Sequence, residues 1–305
     1  MDNITFYKFV EINNLDELKE TILDFCIKNE IKGKILIAKE GISGYCSGNE
    51  NATKDFKAFM HKIEQFKDLW FKHNKTEKEN SKKMLVKIRN EIITFKQDYD
   101  ITKTGKYLKP EDLDKLYESN EDFLIIDTRN DYEYEQGHFK NAVKINSREF
   151  TQFPEEVLKL KEQAKGKKVV TYCTGGVRCE KATAWMNENG FDDVYQLDGG
   201  VINYGIERGQ GNWEGKCFVF DDRGAIEIDP KKQDIKYSQC SICFVPCENN
   251  QTCRVCNKEY LMCVDCDPLM ENTCSKFCRN LEKMKEEKIK SNKEYQELKA
   301  REASN

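Results

Sequence analysis

The stretch that decides the fold reads Val169-Val170-Thr171-Tyr172-Cys173-Thr174-Gly175-Gly176-Val177-Arg178-Cys179-Glu180-Lys181-Ala182. An apolar run ending at a cysteine, followed by a glycine pair, predicts a buried strand, a tight loop and then a helix over about Arg178–Asn189. Glycines let backbone N–H groups point inward as an anion-binding nest, and the helix N-terminus adds partial positive charge. Because such surroundings stabilise a thiolate, Cys173 is predicted to be a nucleophile of lowered pKa.

The remaining loop residues are predicted to hold the substrate. Thr174, Gly175 and Gly176 form the cradle, and Arg178 closes it with a fixed positive charge directed toward the bound anion. Cysteine phosphatases wrap a tetrahedral phosphate with a C-x5-R loop, whereas here four residues separate Cys173 from Arg178. The tighter ring disfavours a phosphatase and suits a smaller group, such as a sulfane sulfur.

The segments around this loop indicate a parallel α/β domain. Phe123–Asp127 and Lys168–Tyr172 are short, nearly continuous apolar runs of the kind found in buried parallel strands. Ligands of such sheets bind at the carboxyl ends of the strands, where the first run is followed by Thr128 and Arg129. Asp127 and Arg129 are therefore candidate substrate-binding residues. An ion pair that braces the rim of the site is the alternative.

The N-terminal hundred residues alternate between strand-like and helix-like patterns in the order β-α-β-β-α-β, which predicts a ferredoxin-like sandwich. Helices are expected at Leu15–Lys28 and Ala52–Phe66, and an exposed loop at Asn74–Lys83. The expected strands are Thr5–Val10, Lys34–Ala38, Ile42–Cys46, Met84–Ile88 and Ile92–Phe95. We predict an α/β and α+β multidomain protein with a ferredoxin-like (acylphosphatase-like) domain at 1–108 and the parallel α/β domain at 109–215.

Nine of the 14 cysteines are concentrated near the end of the chain. Eight of them form pairs with two or three intervening residues, namely Cys240 with Cys243, Cys253 with Cys256, Cys263 with Cys266, and Cys274 with Cys278. This spacing lets both sulfurs of a pair reach one tetrahedral ion at about 2.3 Å, so we predict a module at 216–280 with two closed, structural zinc sites. Cys247 could replace one ligand, and the spacing leaves open which pairs share an ion. A reduced cluster without metal and a redox relay to Cys173 are the alternatives.

Composition excludes some classes of function. The 305 residues are 34% charged with a mean hydropathy of −0.78, so we expect no membrane span. The N-terminus lacks a secretory signal, and we expect a reducing cytoplasm in which the cysteines remain free of disulfides. The net charge of −4 divides into about +4 over residues 1–110 and about −8 over the remainder. The last segment, 281–305, is rich in Lys and Glu and is predicted to be a charged helix or tail.

The basic N-terminal region could bind a nucleic acid, although solvated lysines are the simpler interpretation. Tyr45 or Tyr172 could stack on an unpaired base. The candidate phosphate contacts are Lys32, Lys34, Lys39, Lys82, Lys83, Lys87 and Arg89.

Several landmarks together resemble a rhodanese domain. They are Asp127-Thr128-Arg129, the run Glu133-Tyr134-Glu135-Gln136-Gly137-His138-Phe139-Lys140-Asn141-Ala142, the Cys173 loop, and Leu197-Asp198-Gly199-Gly200-Val201. With Lys34-Ile35-Leu36-Ile37-Ala38-Lys39-Glu40-Gly41-Ile42-Ser43-Gly44 and Trp213-Glu214-Gly215-Lys216-Cys217-Phe218-Val219-Phe220-Asp221, nearly the whole chain resembles the tRNA uridine hydroxylase family. His138, in its Gly-His-Phe setting, is expected to organise a turn.

The resemblance implies 5-hydroxylation of the wobble uridine of tRNA with molecular oxygen. It places Cys173 at the rhodanese nucleophile position and matches Arg178 and Cys179 to the pair that closes the loop in this family. Cys179 is then a catalytic redox partner of Cys173 or a small packed residue. The sequence contains no dinucleotide fingerprint, P-loop or facial triad, so no nucleotide or flavin cofactor is expected.

Three functions remain open. The first is hydroxylation of uridine, in which a thiolate that adds to C6 of the uracil would activate C5. The first rival is a sulfurtransferase that carries a persulfide on Cys173 to a small molecule, protein or tRNA. The second rival is a non-catalytic RNA- or protein-binding scaffold.

Overall fold

The computed structural model describes residues 1–75, 81–119, 121–220, 224–231, 240–242, 247 and 249–281. The chain forms two compact units, Met1–Lys236 and Tyr237–Asn305. Within the first unit the elements are β1 Asp2–Phe9, α1 Leu15–Lys28, β2 Lys32–Ala38, β3 Gly41–Gly48, α2 Glu50–His61, β4 Phe71–Lys75, β5 Met84–Ile88, β6 Lys106–Leu108, α3 Pro110–Glu118, β7 Phe123–Asp127, α4 Asp131–Gln136, β8 Gly137–Phe139, α5 Phe153–Leu158, α6 Lys161–Ala164, β9 Lys168–Tyr172, α7 Val177–Glu188, β10 Val194–Leu197, α8 Gly200–Arg208, β11 Trp213–Gly215, β12 Cys217–Phe218 and β13 Ala225–Ile226.

The N-terminal domain is a five-stranded sheet in the order β4-β1-β3-β2-β5, in which only the β2–β5 pair is parallel. Alternation along the strands sends one set of side chains, including Ile4, Phe6, Ile35 and Phe71, into a core shared with α1 and α2. The ferredoxin-like order of the first four strands confirms the predicted class of this domain.

Two predictions for this domain differ from the structure. Ile92–Phe95 is not a strand: its N–H groups at Ile92 and Phe95 donate to the carboxylates of Glu40 (2.7 Å) and Glu91 (2.6 Å), and both side chains are buried. The fourth strand is instead β4, which pairs antiparallel with β1. Its sequence, Phe-Lys-His-Asn-Lys, has a single apolar residue, so its pattern gave no strand signal.

The second domain of this unit is a parallel sheet in the order β6-β10-β9-β7. Helices α3 and α8 contact each other, α7 packs beside β9 and β10, and apolar clusters fill the domain interior. The predicted bounds Phe123–Asp127 and Lys168–Tyr172 are those of β7 and β9. The mixed α/β fold class with a parallel sheet is therefore confirmed.

The segment after β11 also packs into this domain. Cys217, Val219, Ile226 and Ile228 are buried in the same apolar cluster as Tyr204. The first compact unit includes this segment and extends to Lys236.

The second unit contains the elements β14 Asn250–Thr252, β15 Glu259–Leu261 and α9 Asp267–Met270. Strands β14 and β15 form an antiparallel hairpin. The buried cluster of this second unit consists mainly of cysteines, together with Tyr260, Met262 and Met270. The predicted tail, 281–305, lies outside the described residues apart from its first position.

Over the part of the chain that the structure describes, no helix has the length and apolar character that crossing a bilayer requires.

Candidate active site and metal-binding cysteines

The loop between β9 and α7 holds the predicted nucleophile. The helix begins at Val177, one residue after Gly176, whose φ of 101° is left-handed. A Cβ at Gly176 would lie 2.7 Å from the Tyr7 hydroxyl, so this position requires glycine. The turn directs the Gly176 N–H at the sulfur of Cys173, to which it donates over 3.0 Å. The predicted inward-pointing backbone donor is thus present at Gly176.

A second glycine turn, at the start of helix α8, supports the same loop. Gly200 has a φ of 68°, and a Cβ there would collide with the Cys173 carbonyl oxygen. Helix α8 starts at this glycine, and its first free N–H groups, at Val201 and Ile202, donate to the carbonyls of Cys173 (3.0 Å) and Thr174 (3.1 Å). The loop is therefore held by hydrogen bonds from one helix N-terminus while it leads into another.

The surroundings of Cys173 favour its thiolate. Burial raises the pKa of this thiol, but a hydrogen bond from the Cys179 thiol, the charge of Arg178 and the N–H groups of Arg178 and Gly176 together hold the pKa well below its ordinary value. Burial and the neighbouring Cys173 raise the pKa of Cys179 well above its ordinary value. Cys179 is thus the protonated donor and Cys173 the charged acceptor.

Arg178 does not point freely into the cradle. Its guanidinium donates to both carboxylate oxygens of Glu133, at 2.6 and 2.8 Å, and both side chains are buried. Burial raises the pKa of Glu133, but the charge of Arg178 outweighs this and the pKa is lowered. The Arg178 charge still acts on Cys173, while the hydrogen bonds to Glu133 fix the position of the guanidinium. Sequence analysis quoted Glu133 as a landmark and gave it no role.

Asp127 and Arg129 lie at the end of β7 as predicted. They form an ion pair of 2.6 Å in which both side chains are fully buried, and Arg129 also donates to the Gly137 carbonyl at 2.6 Å. The Arg129 guanidinium lies 5.0 Å from the ring centre of Trp213. These contacts favour the bracing alternative, and substrate contact by the pair stays a prediction.

The free face of the N-terminal sheet forms the roof of the site. The side chains that alternate with the domain core, such as Thr5, Lys34 and Tyr45, face a cavity of about 350 Å³ above the loop. Cys173, Thr174, Gly175 and Arg178 line the opposite side of this cavity, as does Phe220. The two domains of the first unit therefore enclose the cysteine together.

Lys72 of β4 is the residue of this roof that sequence analysis missed. Its ammonium is buried and donates to the carbonyl oxygens of Gly175 and of Gly199, the latter at 2.6 Å. Burial lowers the pKa of Lys72 to about 8, although the nearby Cys173 acts in the opposite direction. The N-terminal domain thus places a lysine directly against the catalytic loop.

Ion pairs of the buried Lys181 also connect the N-terminal domain to α7. The Lys181 ammonium donates to Glu40 (2.8 Å), Glu91 (2.9 Å) and the Ile93 carbonyl (2.8 Å). Tyr7 of β1 donates to the Glu180 carboxylate at 3.0 Å. Because α7 carries Arg178 and Cys179, these contacts fix the orientation of the roof relative to the loop.

Of the other residues that the sequence singled out, some line the site and others lie away from it. Tyr172 cannot stack on a base, since its side chain is fully buried against Phe139 and Trp213. His138 donates from Nδ1 to the Tyr134 carbonyl (3.0 Å) and stacks on the Tyr134 ring, as expected for a residue that organises a turn. Among the basic candidates, Lys34 lines the cavity. Exposed positions are found at Lys39, Lys82, Lys83, Lys87 and Arg89.

The cysteines of the second unit form two sets. The sulfurs of Cys253, Cys256, Cys274 and Cys278 all lie within 4.8 Å of one another. Two of these separations are 3.6 Å, between Cys256 and Cys274, and 3.7 Å, between Cys274 and Cys278. A tetrahedral ion with metal–sulfur bonds of about 2.3 Å requires sulfurs about 3.8 Å apart. The four sulfurs therefore fit one closed metal site.

The second set contains Cys240, Cys263 and Cys266, whose sulfurs also lie within 4.8 Å of one another. The predicted partner Cys243 lies outside the described residues. Cys240 of the first pair along the chain thus shares its set with the third pair, and the second pair shares its set with the fourth. Spacing alone could not give this interleaved pairing.

Comparison with known proteins agrees with this arrangement. A UPF0176 acylphosphatase like domain model matches residues 1–92, a rhodanese-like domain model matches 109–206 and a rhodanase C-terminal model matches 214–279. A rhodanese-like domain protein from Staphylococcus aureus is 24% identical, covering 34% of this chain and 94% of its own, with a TM-score of 0.28. Fold and site define a rhodanese-domain protein with an acylphosphatase-like roof over its cysteine loop.

Two curated relatives extend over most of the chain. The tRNA uridine(34) hydroxylases of Bacillus mycoides (strain KBAB4) and Bacillus cereus (strain G9842) are each 39% identical over 285 residues, which are 90% of this chain and 88% of the relative. The chain belongs to the tRNA uridine(34) hydroxylase family.

Proposed function

We propose that the protein is an enzyme that hydroxylates C5 of uridine 34 in tRNA. The observation that carries this proposal is the thiolate-stabilised Cys173 in a cavity enclosed by two domains, in a chain that belongs to the hydroxylase family. The cavity volume of about 350 Å³ is within the range of sites that bind small molecules, and it can take a single base. We place the reaction in the cytoplasm, with tRNA and molecular oxygen as partners.

The proposed chemistry begins at the sulfur. The Cys173 thiolate forms a bond to C6 of the uracil, and the electron pair of the C5–C6 double bond moves to C5 and its neighbouring carbonyl. Molecular oxygen accepts the two electrons of the donor and two protons to give a peroxide, and C5 attacks one of its oxygen atoms, so that the O–O bond breaks and hydroxide leaves. Hydroxide takes the C5 proton and becomes water while the sulfur leaves C6 as the thiolate, which restores the C5–C6 double bond. Over the whole reaction, molecular oxygen, two electrons from an external donor and two protons convert C5–H to C5–OH and one water.

The protein residues have separate tasks in this scheme. The Gly176 N–H and the Cys179 thiol stabilise the thiolate before addition and after elimination. Glu133 holds Arg178 so that its charge stays beside Cys173, and the Asp127–Arg129 pair braces the strand end. Thr174, Gly175 and Gly176 form the cradle that receives the base.

We assign zinc to the cysteine sets of the second unit. Four thiolates at tetrahedral spacing are a donor set that zinc prefers, and a closed set leaves no position for a reacting water. Zinc bound there would supply folding free energy to a unit with a small apolar core. With Cys243 in the second set, the unit holds two structural ions.

A sulfurtransferase is the second candidate, because the same donors would stabilise a persulfide on Cys173. Mass spectrometry of nucleosides in tRNA from a strain lacking the gene separates the candidates. Loss of 5-hydroxyuridine derivatives, restored by wild-type protein and not by Cys173→Ala, supports hydroxylation. Loss of a thiolated nucleoside supports sulfur transfer, and unchanged tRNA supports the scaffold.

A further inference from the structure

A second groove, of about 720 Å³, lies beside the Cys173 cavity. Lys72, Gly175 and Val177 line both spaces, so the two are neighbours along the catalytic loop. The wall of the groove contains the aromatic side chains of Trp70 and Tyr107.

Trp70 is held in a defined position while most of its surface remains open. Leu69 and Phe71 point into the core of the N-terminal domain, and Trp70 and Lys72 therefore face the opposite side, toward the loop. The Lys72 ammonium lies 5.1 Å from the centre of the Trp70 ring. A Cβ at Gly199 would lie 3.1 Å from the edge of that ring, so the indole rests against the Gly199 backbone. Even so, Trp70 is 53% exposed.

Tyr107 is fixed on the opposite domain of the unit. Its hydroxyl donates to the Glu180 carboxylate at 2.8 Å, and the same carboxylate accepts a hydrogen bond from Tyr7. With 56% of its surface exposed, Tyr107 leaves its ring accessible from the groove. Two positioned aromatic rings thus flank one groove, one from each domain.

The charges in the groove favour a base over a phosphate. Asp68, Glu180 and Asp198 line it, against the two ammonium groups of Lys8 and Lys72. Lys8 is paired with Asp68, and Lys72 is occupied by loop carbonyls. No surplus of positive charge is left there for a phosphate. Exposed aromatic rings are instead what proteins use to stack unpaired bases.

We propose that this groove binds an unpaired base adjacent to the target uridine, stacked on Trp70 and bordered by Tyr107. The proposal rests on the proposed function, because a uridine at the wobble position lies in a single-stranded anticodon loop. When the target base occupies the Cys173 cavity, the adjacent nucleotide has to leave the cavity along the surface of the catalytic loop. Gly175 and Val177 line both the cavity and the groove, so this path reaches the two aromatic rings.

The test measures binding of a labelled anticodon stem-loop RNA to the full-length protein by fluorescence anisotropy. Stacking on an aromatic ring contributes about 1–3 kcal/mol per base, so Trp70→Ala is expected to weaken binding about 5- to 150-fold. Trp70→Phe, which retains a ring, should recover much of the loss. Ile27→Ala removes an equally exposed apolar side chain from α1, outside the groove, and should bind as wild type does.

Two further readouts identify the stacked base. Trp185 and Trp213 are 7% and 2% exposed, so quenching of intrinsic fluorescence by RNA reports mainly on Trp70. The two positions that flank the target uridine are then made abasic one at a time. At the position whose base stacks, Trp70→Ala should cause no additional loss of affinity.

The inference is wrong if Trp70→Ala binds the RNA within twofold of wild type, or if its loss persists in full with both abasic RNAs. Hydroxylation of tRNA by wild-type protein is measured in parallel. Product formation with unchanged Trp70→Ala binding overturns only the stacking site, whereas absence of product in the presence of RNA binding overturns the proposed reaction.

Discussion

Cysteine serves two different purposes in this molecule, and its neighbours decide which. In the Cys173 loop one sulfur accepts hydrogen bonds from a backbone N–H and from a second thiol, beside a guanidinium. In the second unit, the sulfurs of Cys253, Cys256, Cys274 and Cys278 all lie within 4.8 Å of one another. The loop stabilises a single negative charge and leaves the sulfur facing a cavity. Four thiolates at such close range would repel each other, so we propose that a bound cation holds the other set together.

Hydrogen-bond donors and charges around the sulfur, rather than the number of cysteines, therefore separate a reactive thiol from a structural one. Substitutions in either region should therefore have effects that do not extend to the other. Metal content and hydroxylation are the two readouts that show this separation.

The largest effect is expected for Cys173→Ser. A serine hydroxyl stays protonated in the same surroundings, so kcat/KM for tRNA hydroxylation should fall by roughly 10³-fold or more. Metal content should stay at the wild-type value. Cys46→Ala is the matched control, because Cys46 is a buried cysteine of the N-terminal core, and it should retain activity within a few-fold. Wild-type turnover by the serine variant would contradict the claim that Cys173 is the reactive thiol.

The next effect is expected for Cys274→Ala. This residue lies at the centre of the first set, 3.6 and 3.7 Å from two partner sulfurs, so the protein should lose about one metal ion per chain. Elemental analysis and limited proteolysis of the second unit measure the loss. Cys26→Ala should keep the full metal content, since Cys26 is buried in the core of the N-terminal domain. Full metal content in Cys274→Ala would refute the assigned pairing.

A smaller effect is expected for Lys72→Met. Removal of the ammonium leaves the Gly175 and Gly199 carbonyls without this donor, which should cost about 1–3 kcal/mol in the free energy of unfolding. Loss of a positive charge also raises the pKa of Cys173, so the pH dependence of Cys173 alkylation should shift upward. Lys34→Met, at the roof of the same cavity, is the control and should leave both the stability and the pH profile near wild type.

The smallest effect is expected for Cys179. Cys179→Ala removes a donor to the thiolate, and the pKa of Cys173 should therefore rise. Because only the thiolate reacts, the rate of alkylation at low pH should then fall, while the rate above the new pKa is unchanged. Cys179→Ser keeps a donor but cannot form a disulfide. Activity in Cys179→Ser identifies a hydrogen-bonding role, and its complete loss identifies a redox partner.

The local parts of this account could be predicted from sequence. The strand, glycine turn and helix around Cys173 are set by neighbouring residues, and so is the chelating spacing of each cysteine pair. The contacts that complete the site are distant in sequence: Lys72 meets Gly175 across 103 positions and Arg178 meets Glu133 across 45. No local pattern encodes such pairs.

Other parts could not be predicted because the sequence signal pointed elsewhere. Ile92 and Phe95 are apolar because they are buried, and carboxylates rather than a neighbouring strand accept from their N–H groups. Strand β4 has only Phe71 in the core, since its next residue faces the catalytic loop. One strand was therefore expected where none exists, and the strand that carries Lys72 was missed.

The measurement that tests the central claim most directly follows the oxygen atom. Purified full-length protein and its Cys173→Ala variant are each incubated with unmodified tRNA, a dithiol reductant and ¹⁸O₂, and uridine 34 is analysed by mass spectrometry. We predict 5-hydroxyuridine with one ¹⁸O atom from the wild type and none from the variant. Equal product from both proteins, or product without the label, would contradict the account.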